Sequence, residues 1–162
     1  MTELKTATTF SLRPATIDDL DAILEIERLA YPLPWTRQQF VDEVENPRSH
    51  FLVYTDDETD TYVAGYIVFW DLEHETHILN VAVNLDWRGL GMGLKLVGAA
   101  INHSYRCNHD RVFLEVRASN SGAISLYQKV GFQVDHVKKS FYENKEDAVF
   151  MVLRVVKDVA EE

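Results

Sequence analysis

The sequence predicts an α/β fold in which a central mixed, mostly antiparallel sheet of about seven strands is flanked by about four helices. Three observations lead to this prediction. The 162 residues have the length of one domain, apolar residues alternate between strand and helix spacing, and no repeat, low-complexity tract or Pro/Gly/Ser-rich linker divides the chain. We therefore expect a single domain over residues 1–162.

The first elements are a strand and two helices. FSLRPA is a short alternating run, and TIDDLDAILEIERLAY after it opens with Thr16 and Asp19 at the spacing of a capping box. The apolar face of this first helix is formed by Leu20, Ile23 and Leu24. Two prolines in YPLPW stop the helix, Thr36 and Gln39 cap a second one, and Asn46 before a proline ends it.

Three strands come next. HFLVYT and YVAGYIVFWDL, separated by the acidic turn DDETD, are typical of a hairpin, and HILNVAV is a further short strand. After RGLGMG we expect a helix from about Leu94 to Tyr105, a strand at RVFLEVRA and a helix at SGAISLYQKV that Gly131 ends. FQVDHVKKSF and DAVFMVLRVV are the last strands, which gives the order βααβββαβαββ. Strand-helix-strand crossovers place parallel neighbours in the middle of such a sheet.

Composition and charge restrict the classes of function. Acidic residues outnumber basic ones by 26 to 16, which gives a net charge of −10, and no Lys/Arg run is present. These features argue against direct nucleic-acid binding and are compatible with a basic partner or with solubility alone. No apolar run approaches the roughly 20 residues of a membrane span, and MTELKTATTF has no signal-peptide character. We expect a soluble, cytoplasmic monomer, since no heptad repeat or long unpaired apolar edge is visible.

Cysteine and histidine give no metal motif in the sequence. The only cysteine, Cys107, has no disulfide partner and no neighbouring ligand cluster, which suits a reducing compartment and favours a structural role. His74 and His77 flank Glu75 in HETH, but the spacing is not HExxH, and residues three apart on a strand face opposite sides. We therefore expect no metal site.

The stretch RGLGMG, from Arg88 to Gly93, lies between a predicted strand and a predicted helix. Its three glycines allow the backbone to turn N–H groups toward one point at the helix N-terminus, which can bind a phosphate or pyrophosphate. A tight turn without a ligand is the alternative. Neither GKS nor GKT follows, so it is not a Walker loop, and the glycine spacing does not fit a dinucleotide-binding fold.

Three polar residues farther along could carry chemistry. Glu115 is a carboxylate within the strand RVFLEVRA, where it must be paired, hydrated or used, because an unpaired buried charge is costly or is neutralised. A salt bridge to a neighbouring strand is the alternative reading. Tyr127 lies on the apolar face of its helix and its phenol needs a partner, as does that of any core tyrosine. Asn120 precedes this helix and could simply be its N-cap.

Together these segments resemble the GCN5-related N-acetyltransferase (GNAT) superfamily over nearly the whole chain. Its acetyl-CoA signature, Q/R-x-x-G-x-G/A, is met by Arg88, Gly91 and Gly93. Five further segments, YPLPW, HILNVAV, LEVRASN, AISLYQKVGF and FYENKEDAVFMVL, are similar, in the same order, to those of the RimI-like ribosomal-protein-alanine N-acetyltransferases and their archaeal relatives. Five matching segments in order are far more specific than one glycine loop.

The resemblance implies acetyl-CoA as the cosubstrate, no metal, and a role for individual residues. Glu115 would be the proton acceptor and Tyr127 the proton donor to the leaving CoA thiolate. The cofactor would be bound by Val81, Ala82, Val83, Arg88, Gly89, Leu90, Gly91, Met92, Gly93, Leu94 and Asn120. The pocket for the first residue of the acceptor peptide would be lined by Tyr31, Pro34, Trp35 and Tyr142.

Two departures from the family pattern are visible. Asn84-Leu85 stands where many members have Asp-Pro, which changes a turn, and Phe141 replaces the first of two tyrosines. The second change removes one hydroxyl group from the expected peptide site.

The implied activity is N-alpha-acetylation of a protein N-terminus, such as an alanine of a small-subunit ribosomal protein, by direct attack of the amine on the thioester. At pH 7 about a tenth of α-amino groups are neutral, against about one lysine in a few thousand, which favours an α-amine. Two alternatives stay open. The same fold acetylates lysines and small-molecule amines, and a non-catalytic acetyl-CoA-binding interaction module would retain the fold without the reaction.

Overall fold

The structure is a computed structural model and describes residues 8–156. In this part of the chain, strands and helices follow the predicted order βααβββαβαββ. The strands are β1 Phe10–Pro14, β2 Ser49–Asp56, β3 Val63–Asp71, β4 Glu75–Val83, β5 Arg111–Arg117, β6 Gln133–Lys138 and β7 Ala148–Arg154. The helices are α1 Leu20–Ala30, α2 Arg37–Glu45, α3 Met92–Arg106 and α4 Ser121–Val130, with short 3-10 turns at Ile17–Asp19 and Leu85–Trp87.

The strands form one mixed sheet in the order β1-β2-β3-β4-β5-β7-β6. β4 and β5, in its middle, are parallel, with Glu75 opposite Arg111 and Ile78 opposite Leu114. β1 with β2, β5 with β7, and β6 with β7 are antiparallel pairs. A parallel pair needs a crossover connection, and α3 lies in the connection between β4 and β5. The predicted α/β fold, with its parallel pair in the middle of the sheet, is confirmed.

The described chain divides into two compact units. The first contains residues 8–69 and 80–97, and the second contains residues 70–79 and 98–156. Both units receive part of β3, β4 and α3, because the boundaries fall within these elements. The single domain expected over residues 1–162 stays a prediction.

Side-chain caps begin two helical segments as predicted. Asp19 accepts the N–H of Thr16 at 2.8 Å, and Gln39 accepts the N–H of Thr36 at 2.8 Å while Thr36 accepts that of Gln39 at 3.2 Å. Gly131 ends α4 with a φ of 119°, in the left-handed region that favours glycine. Local sequence signals therefore define these helix ends.

Helix α1 buries an apolar face that differs slightly from the predicted one. Leu20 and Ile23 are fully buried, and burial of such a side chain stabilises a fold by roughly 1.5–3 kcal/mol. Leu24 is only half-buried, while the buried face continues at Ile26, one helical step of three residues beyond Ile23. Among the described helices, none has both the length and the apolar character that crossing a bilayer requires.

Strand β5 is covered on both faces, as expected inside a sheet. Val112 and Leu114 are buried on one face and Phe113 on the other. Glu115 follows on the face of Phe113 and is less buried than these apolar neighbours. The strand thus places one carboxylate in an otherwise apolar setting.

Candidate active site

Glu115 lies between two basic side chains in the second unit. His77 of β4 contacts its Oε2 through Nε2 at 2.9 Å, and the ammonium of Lys138, at the end of β6, donates to its Oε1 at 3.0 Å. The side chain of Glu115 is 15% exposed to solvent. The carboxylate is therefore paired, as one reading of the sequence required, and still reachable from solvent, as a catalytic role requires.

A row of stacked rings crosses the four strands around Glu115. The ring of His77 lies 4.3 Å from that of Phe113, Phe113 lies 5.3 Å from Phe150, and Phe150 lies 4.7 Å from His136. The ammonium of Lys138 lies 4.9 Å from the centre of the Phe150 ring, within the range of a cation–π interaction. Packing on these rings holds both partners of the carboxylate in position.

The surroundings lower the pKa of Glu115. Burial alone would raise it, but the hydrogen bonds and charges of His77 and Lys138 outweigh burial and lower the pKa from 4.5 to about 2. A general base works best when its pKa lies near the operating pH. Glu115 is therefore fully ionised at neutral pH and is a weak base.

Acidification is expected to remove stability that the ionised Glu115 contributes. Its folded-state pKa lies below the unfolded value, so the contribution is complete above about pH 4.5 and is lost as the pH falls toward 2. The difference between the two pKa values corresponds to about 3.4 kcal/mol, and solvent screening of this part-exposed pair lowers the expected contribution to about 2–3 kcal/mol. Urea unfolding at about pH 6 and about pH 3 should therefore show a smaller loss for Glu115→Gln than for the wild type. Equal losses in the two proteins would contradict this assignment.

Tyr127 lies on α4 with a hydroxyl group that the protein does not use. The residue is only 6% exposed, and its ring packs 5.6 Å from that of Phe132. Within residues 8–156, no protein group hydrogen-bonds to its hydroxyl. Burial raises the pKa of Tyr127, and the nearby Tyr142 adds to the effect, so the phenol stays protonated. The hydroxyl is thus a donor available to a ligand, unlike that of a core tyrosine with a satisfied partner.

The loop of residues 139–147, between β6 and β7, is tied to the end of β5. The guanidinium of Arg117 lies 3.9 Å from the centre of the Tyr142 ring and donates to Glu146 at 3.4 Å. Glu146 also accepts the hydroxyl of Ser119. These contacts fix Tyr142, one of the predicted acceptor-binding residues. Neither Arg117 nor Glu146 could be selected from the sequence alone, because their partners lie on other segments.

Asn120 is the N-cap of α4, as one reading of the sequence proposed. Its Oδ1 accepts the N–H of Ala123 at 3.1 Å. The cap uses only the oxygen, so the amide NH₂ group keeps its donors. Capping is therefore compatible with the cofactor contact that the resemblance implies.

Residues 88–94 form the turn into α3, in the first unit. Gly89 and Gly91 have φ values of 77° and 80°, and a Cβ added at either would meet nothing within 4 Å. The space beside the turn is therefore open. The first N–H groups of a helix have no partners inside it, and such a helix start favours an anion. The open turn is therefore compatible with the predicted binding of the CoA pyrophosphate.

Strand β4 continues beyond its pairing with β5. The parallel register ends at Ile78, while the strand runs to Val83. Side chains occupy two carbonyl groups of this extension: the Tyr31 hydroxyl donates to Val81 at 2.5 Å, and Arg88 Nε donates to Val83 at 3.2 Å. The backbone of residues 81–83 thus accepts hydrogen bonds from groups outside the sheet, which is what binding of the pantetheine amides would need.

The three residues of YPLPW predicted to bind the acceptor take different positions. Tyr31 is held at β4 by the bond just described, whereas Pro34 and Trp35 line a depression of about 500 Å³ together with side chains of α1. A second depression, of about 410 Å³, includes Val83 and Arg88. Tyr31 therefore lies with the predicted pantetheine-binding residues, apart from the depression of Pro34 and Trp35.

The loop YPLPW, residues 31–35, is held by a buried carboxylate, Glu27, that was not selected from the sequence. Glu27 of α1 is 1% exposed and accepts three hydrogen bonds: from the Tyr66 hydroxyl, from the Asn80 amide at 2.9 Å and from the Trp35 N–H at 2.9 Å. These donors offset the cost of burying the charge. The available signal was an acidic residue four positions after Ile23, on the apolar face of α1.

Glu27→Ala is expected to destabilise the protein by about 3–5 kcal/mol, because two buried donors and one part-buried donor lose their acceptor. It should also raise KM for an acceptor peptide more than KM for acetyl-CoA, because Trp35 loses its anchor. Denaturant unfolding and steady-state kinetics measure the two effects. The matched control for the stability measurement is Glu25→Ala on the exposed side of the same helix, for which we expect a change in the free energy of unfolding within about 0.5 kcal/mol. Equal stability of the two variants would refute this role of Glu27.

Of the two expectations for histidine and cysteine, the one for HETH agrees with the structure and the one for Cys107 does not. His77 contacts Glu115, while His74 is exposed and precedes β4, so HETH forms no shared ligand site. The expectation that Cys107 lacks neighbouring ligands is wrong, because its Sγ lies 3.6 Å from Nε2 of His103. The two residues are one helical turn apart, a spacing that places them on the same side of α3.

The fold, with a glycine turn at the start of α3 and a carboxylate on β5, is the arrangement expected of an acetyltransferase. The chain belongs to the Acetyltransferase (GNAT) family, whose model matches residues 20–132. It is therefore an acyltransferase with acetyl-CoA as its cosubstrate, and the family indicates no metal for this reaction.

Several relatives are similar over most of the chain. A Bacillus subtilis protein, provisionally named a ribosomal protein bS18-alanine N-acetyltransferase, is 36% identical over 87% of this chain and 93% of the relative. An N-alpha-acetyltransferase of Sulfurisphaera tokodaii is 33% identical over 92% of this chain and 95% of the relative. The ribosomal protein bS18-alanine N-acetyltransferase of Escherichia coli is 28% identical over 85% and 92%, respectively.

Solved structures share the fold. The ribosomal-protein-S18-alanine N-acetyltransferase from Escherichia coli has a TM-score of 0.81 at 26% identity, covering 94% of this chain and 97% of that one. Ard1 from Thermoplasma volcanium has a TM-score of 0.83 at 27% identity, covering 91% of this chain and 99% of that one. The GNAT fold predicted from the sequence is thereby confirmed.

Proposed function

We propose that the protein is an N-alpha-acetyltransferase, which transfers the acetyl group of acetyl-CoA to the α-amino group of a protein N-terminus. The names of its relatives support this proposal. The observation that carries it is the placement of Glu115, a part-exposed carboxylate held between His77 and Lys138 on a central strand of the GNAT fold. Its lowered pKa favours an acceptor amine that is already neutral.

Three parts of the chain would hold acetyl-CoA. The turn at residues 88–94 offers N–H groups to the pyrophosphate, residues 81–83 offer backbone groups to the pantetheine amides, and Asn120 offers its NH₂ group. Tyr31 and Arg88 now donate to carbonyl groups of residues 81–83. Pantetheine binding would compete with these two side chains for the same acceptors.

The reaction would be a direct transfer without an acyl-enzyme. The lone pair of a neutral amine forms a bond to the thioester carbonyl carbon, the C–S bond breaks, and the thiolate leaves with the electron pair. Glu115, directly or through one water, accepts the proton released by the nitrogen, which becomes far more acidic once it has bonded to carbon. Tyr127 donates to the departing sulfur, and its raised pKa favours a hydrogen bond over complete proton transfer.

The weak basicity of Glu115 selects the kind of amine. Moving a proton from an ammonium of pKa near 8 to a carboxylate of pKa about 2 costs about 8 kcal/mol. The enzyme therefore depends on an acceptor that is already neutral. About a tenth of α-amino groups are neutral at pH 7, against about one lysine side chain in a few thousand. A protein N-terminus is the acceptor that this chemistry supports best.

As the physiological acceptor we propose an alanine at the N-terminus of a small-subunit ribosomal protein. The names of the Bacillus and Escherichia relatives support this choice. The net charge of −10 suits a basic ribosomal tail, because opposite charges speed encounter. The first residue of the acceptor would be lined by Tyr31, Pro34, Trp35 and Tyr142. The monomeric state and the cytoplasmic location stay predictions.

Mass spectrometry of two peptides incubated with enzyme and acetyl-CoA tests the proposal. One is a basic peptide that begins with alanine, and the other has the same sequence with a blocked N-terminus and a free lysine. We expect acetylation of the first peptide at its α-amine and no product from the second. A third peptide, with acidic residues in place of basic ones behind the same alanine, tests the charge argument through its larger expected KM.

The alternatives give different products. Modification of the blocked peptide at lysine would move the protein to the lysine-acetylating class and refute the argument from Glu115. Saturable acetyl-CoA binding in a calorimetric titration, without product from any peptide, would instead favour the non-catalytic binding module.

A further inference from the structure

Four side chains of metal-ligating type, none of them assigned to acetyl transfer, converge in the second unit. Asp71 ends β3, His103 lies in the last turn of α3, and Cys107 and His109 follow that helix. Nε2 of His103 lies 2.9 Å from Asp71 Oδ2, and Nε2 of His109 lies 3.2 Å from Asp71 Oδ1. Ligand atoms of Asp71, Cys107 and His109 all lie within 4.8 Å of one another.

The end of α3 explains why these side chains meet. Cys107 follows His103 by four residues, and its N–H donates to the His103 carbonyl at 3.0 Å, so both side chains project from one side. Asn108 then adopts a left-handed φ of 59°. The N–H of His109 can thereby reach the Ser104 carbonyl at 2.9 Å. This reversal brings His109 back beside Asp71.

His109 is oriented through its other nitrogen. The residue is 1% exposed, and its Nδ1 lies 2.8 Å from the hydroxyl of Thr76, which is fully buried. That hydroxyl in turn lies 2.5 Å from the hydroxyl of Ser104. Imidazoles that bind metals are held in this way, with one nitrogen bonded to a neighbouring polar group and the other directed at the ion.

A nucleophilic relay does not account for the arrangement. In such a relay the imidazole contacts the nucleophile with one nitrogen and the carboxylate with the other. His103 directs the same atom, Nε2, to Asp71 at 2.9 Å and to Cys107 at 3.6 Å. Asp71, Cys107 and His109 place ligand atoms within 4.8 Å of one another, and Nε2 of His103 contacts both Asp71 and Cys107. Such a set of nitrogen, oxygen and sulfur atoms is typical of ligands around a single cation.

We propose that Asp71, His103, Cys107 and His109 form a binding site for a divalent transition metal, and that Zn²⁺ fits it best. Bonds of about 2.0–2.3 Å in a tetrahedral zinc site place neighbouring ligand atoms about 3.3–3.6 Å apart. The separations of 2.9, 3.2 and 3.6 Å lie within a few tenths of an ångström of this range. The metal would join the end of β3 to the end of α3 and would take no part in acetyl transfer.

The test uses the full chain, freed of metal by a chelator and then titrated with Zn²⁺. Cys107 is the only cysteine, so its alkylation reports on one thiol. We expect one zinc ion per chain and alkylation slowed at least about tenfold, because a bound thiolate is protected. We also expect a Tm higher by about 5 °C or more at about a hundredfold excess over Kd. With Co²⁺ we expect a thiolate-to-metal charge-transfer band.

Variants distinguish this site from surface binding. Cys107→Ser and His103→Gln should each weaken zinc binding at least about tenfold and remove the rise in Tm, and Cys107→Ser should also remove the cobalt band. His74→Ala, which removes an exposed histidine outside the cluster, should bind zinc like the wild type. Zinc affinity unchanged in the Cys107→Ser, His103→Gln double variant would overturn the proposal. So would thiol reactivity that zinc does not alter, or loss of binding in His74→Ala alone.

Discussion

Glu115→Gln is expected to lower kcat for acetylation of an alanine-initiated peptide by about 10²–10³-fold, the usual range for loss of a positioned proton acceptor. Glutamine has the size of glutamate but cannot accept a proton at neutral pH, and it gives up the charged contacts with His77 and Lys138. Affinity for acetyl-CoA should stay nearly constant, because none of the predicted cofactor-binding residues changes. Steady-state kinetics and a calorimetric acetyl-CoA titration measure the two quantities.

The pH profile of the wild type distinguishes this role from a conventional general base. Because the pKa of Glu115 is about 2, the acidic limb of kcat/KM should follow the acceptor amine, with a pKa near 8, and show no ionisation near pH 4.5 or above that belongs to the carboxylate. The matched control is Glu75→Gln, which breaks the pair of Glu75 with Arg111 on the same two strands. It should keep wild-type turnover, and Glu115→Gln turning over as fast as this control would refute the assignment.

Tyr127→Phe is expected to lower kcat by about 10–10²-fold without a comparable change in KM for acetyl-CoA, since it removes an interaction made as the thiolate departs. The substitution deletes one oxygen atom that, among the described residues, has no protein partner. Stability should therefore change by less than about 0.5 kcal/mol, because no buried partner is left unsatisfied. Single-turnover kinetics and thermal unfolding measure the two expectations.

The matched control for this variant is Tyr54→Phe on β2. Tyr54 is half-buried, and no residue of β2 was predicted to bind or to react. It should leave turnover unchanged. A turnover of Tyr127→Phe equal to that of Tyr54→Phe would show that the phenol does not assist the leaving group. A large loss of stability in Tyr127→Phe would instead show that its hydroxyl has a structural role.

The order of elements could be predicted because its signals are local. Thr16 and Thr36 begin helical segments through side chains only three residues away, and Gly131 ends α4 by its own backbone conformation. Glu115 could be selected for a similar reason, because a charge in an apolar strand is visible without knowing the neighbouring strands. These features depend on short stretches of sequence that do not change with the tertiary fold.

The partners of the candidate site could not be predicted, because they come together only through strand pairing. His77 and Lys138 reach Glu115 from strands separated from it by helices or loops, and the low pKa follows from their presence. The same holds for Glu27, whose donors lie on three different segments. For Cys107 a local signal was available, because His103 precedes it by one helical turn, whereas Asp71, which lies close to both histidines, is distant in sequence.

The placement of β7 affects when Glu115 and Lys138 can come together during synthesis. β7 comes at the end of the described chain, yet in the sheet it lies between β5 and β6 and pairs with both. β6 and β7 are joined by a short loop, but β5 and β7 are separated by α4 and β6, and contacts between such distant segments form late because the chain must close a longer loop first. On a translating ribosome, Lys138 can take its place near Glu115 only after β7 has left the exit tunnel. The nascent chain should therefore form the Glu115–Lys138 ion pair only after β7 has been synthesised.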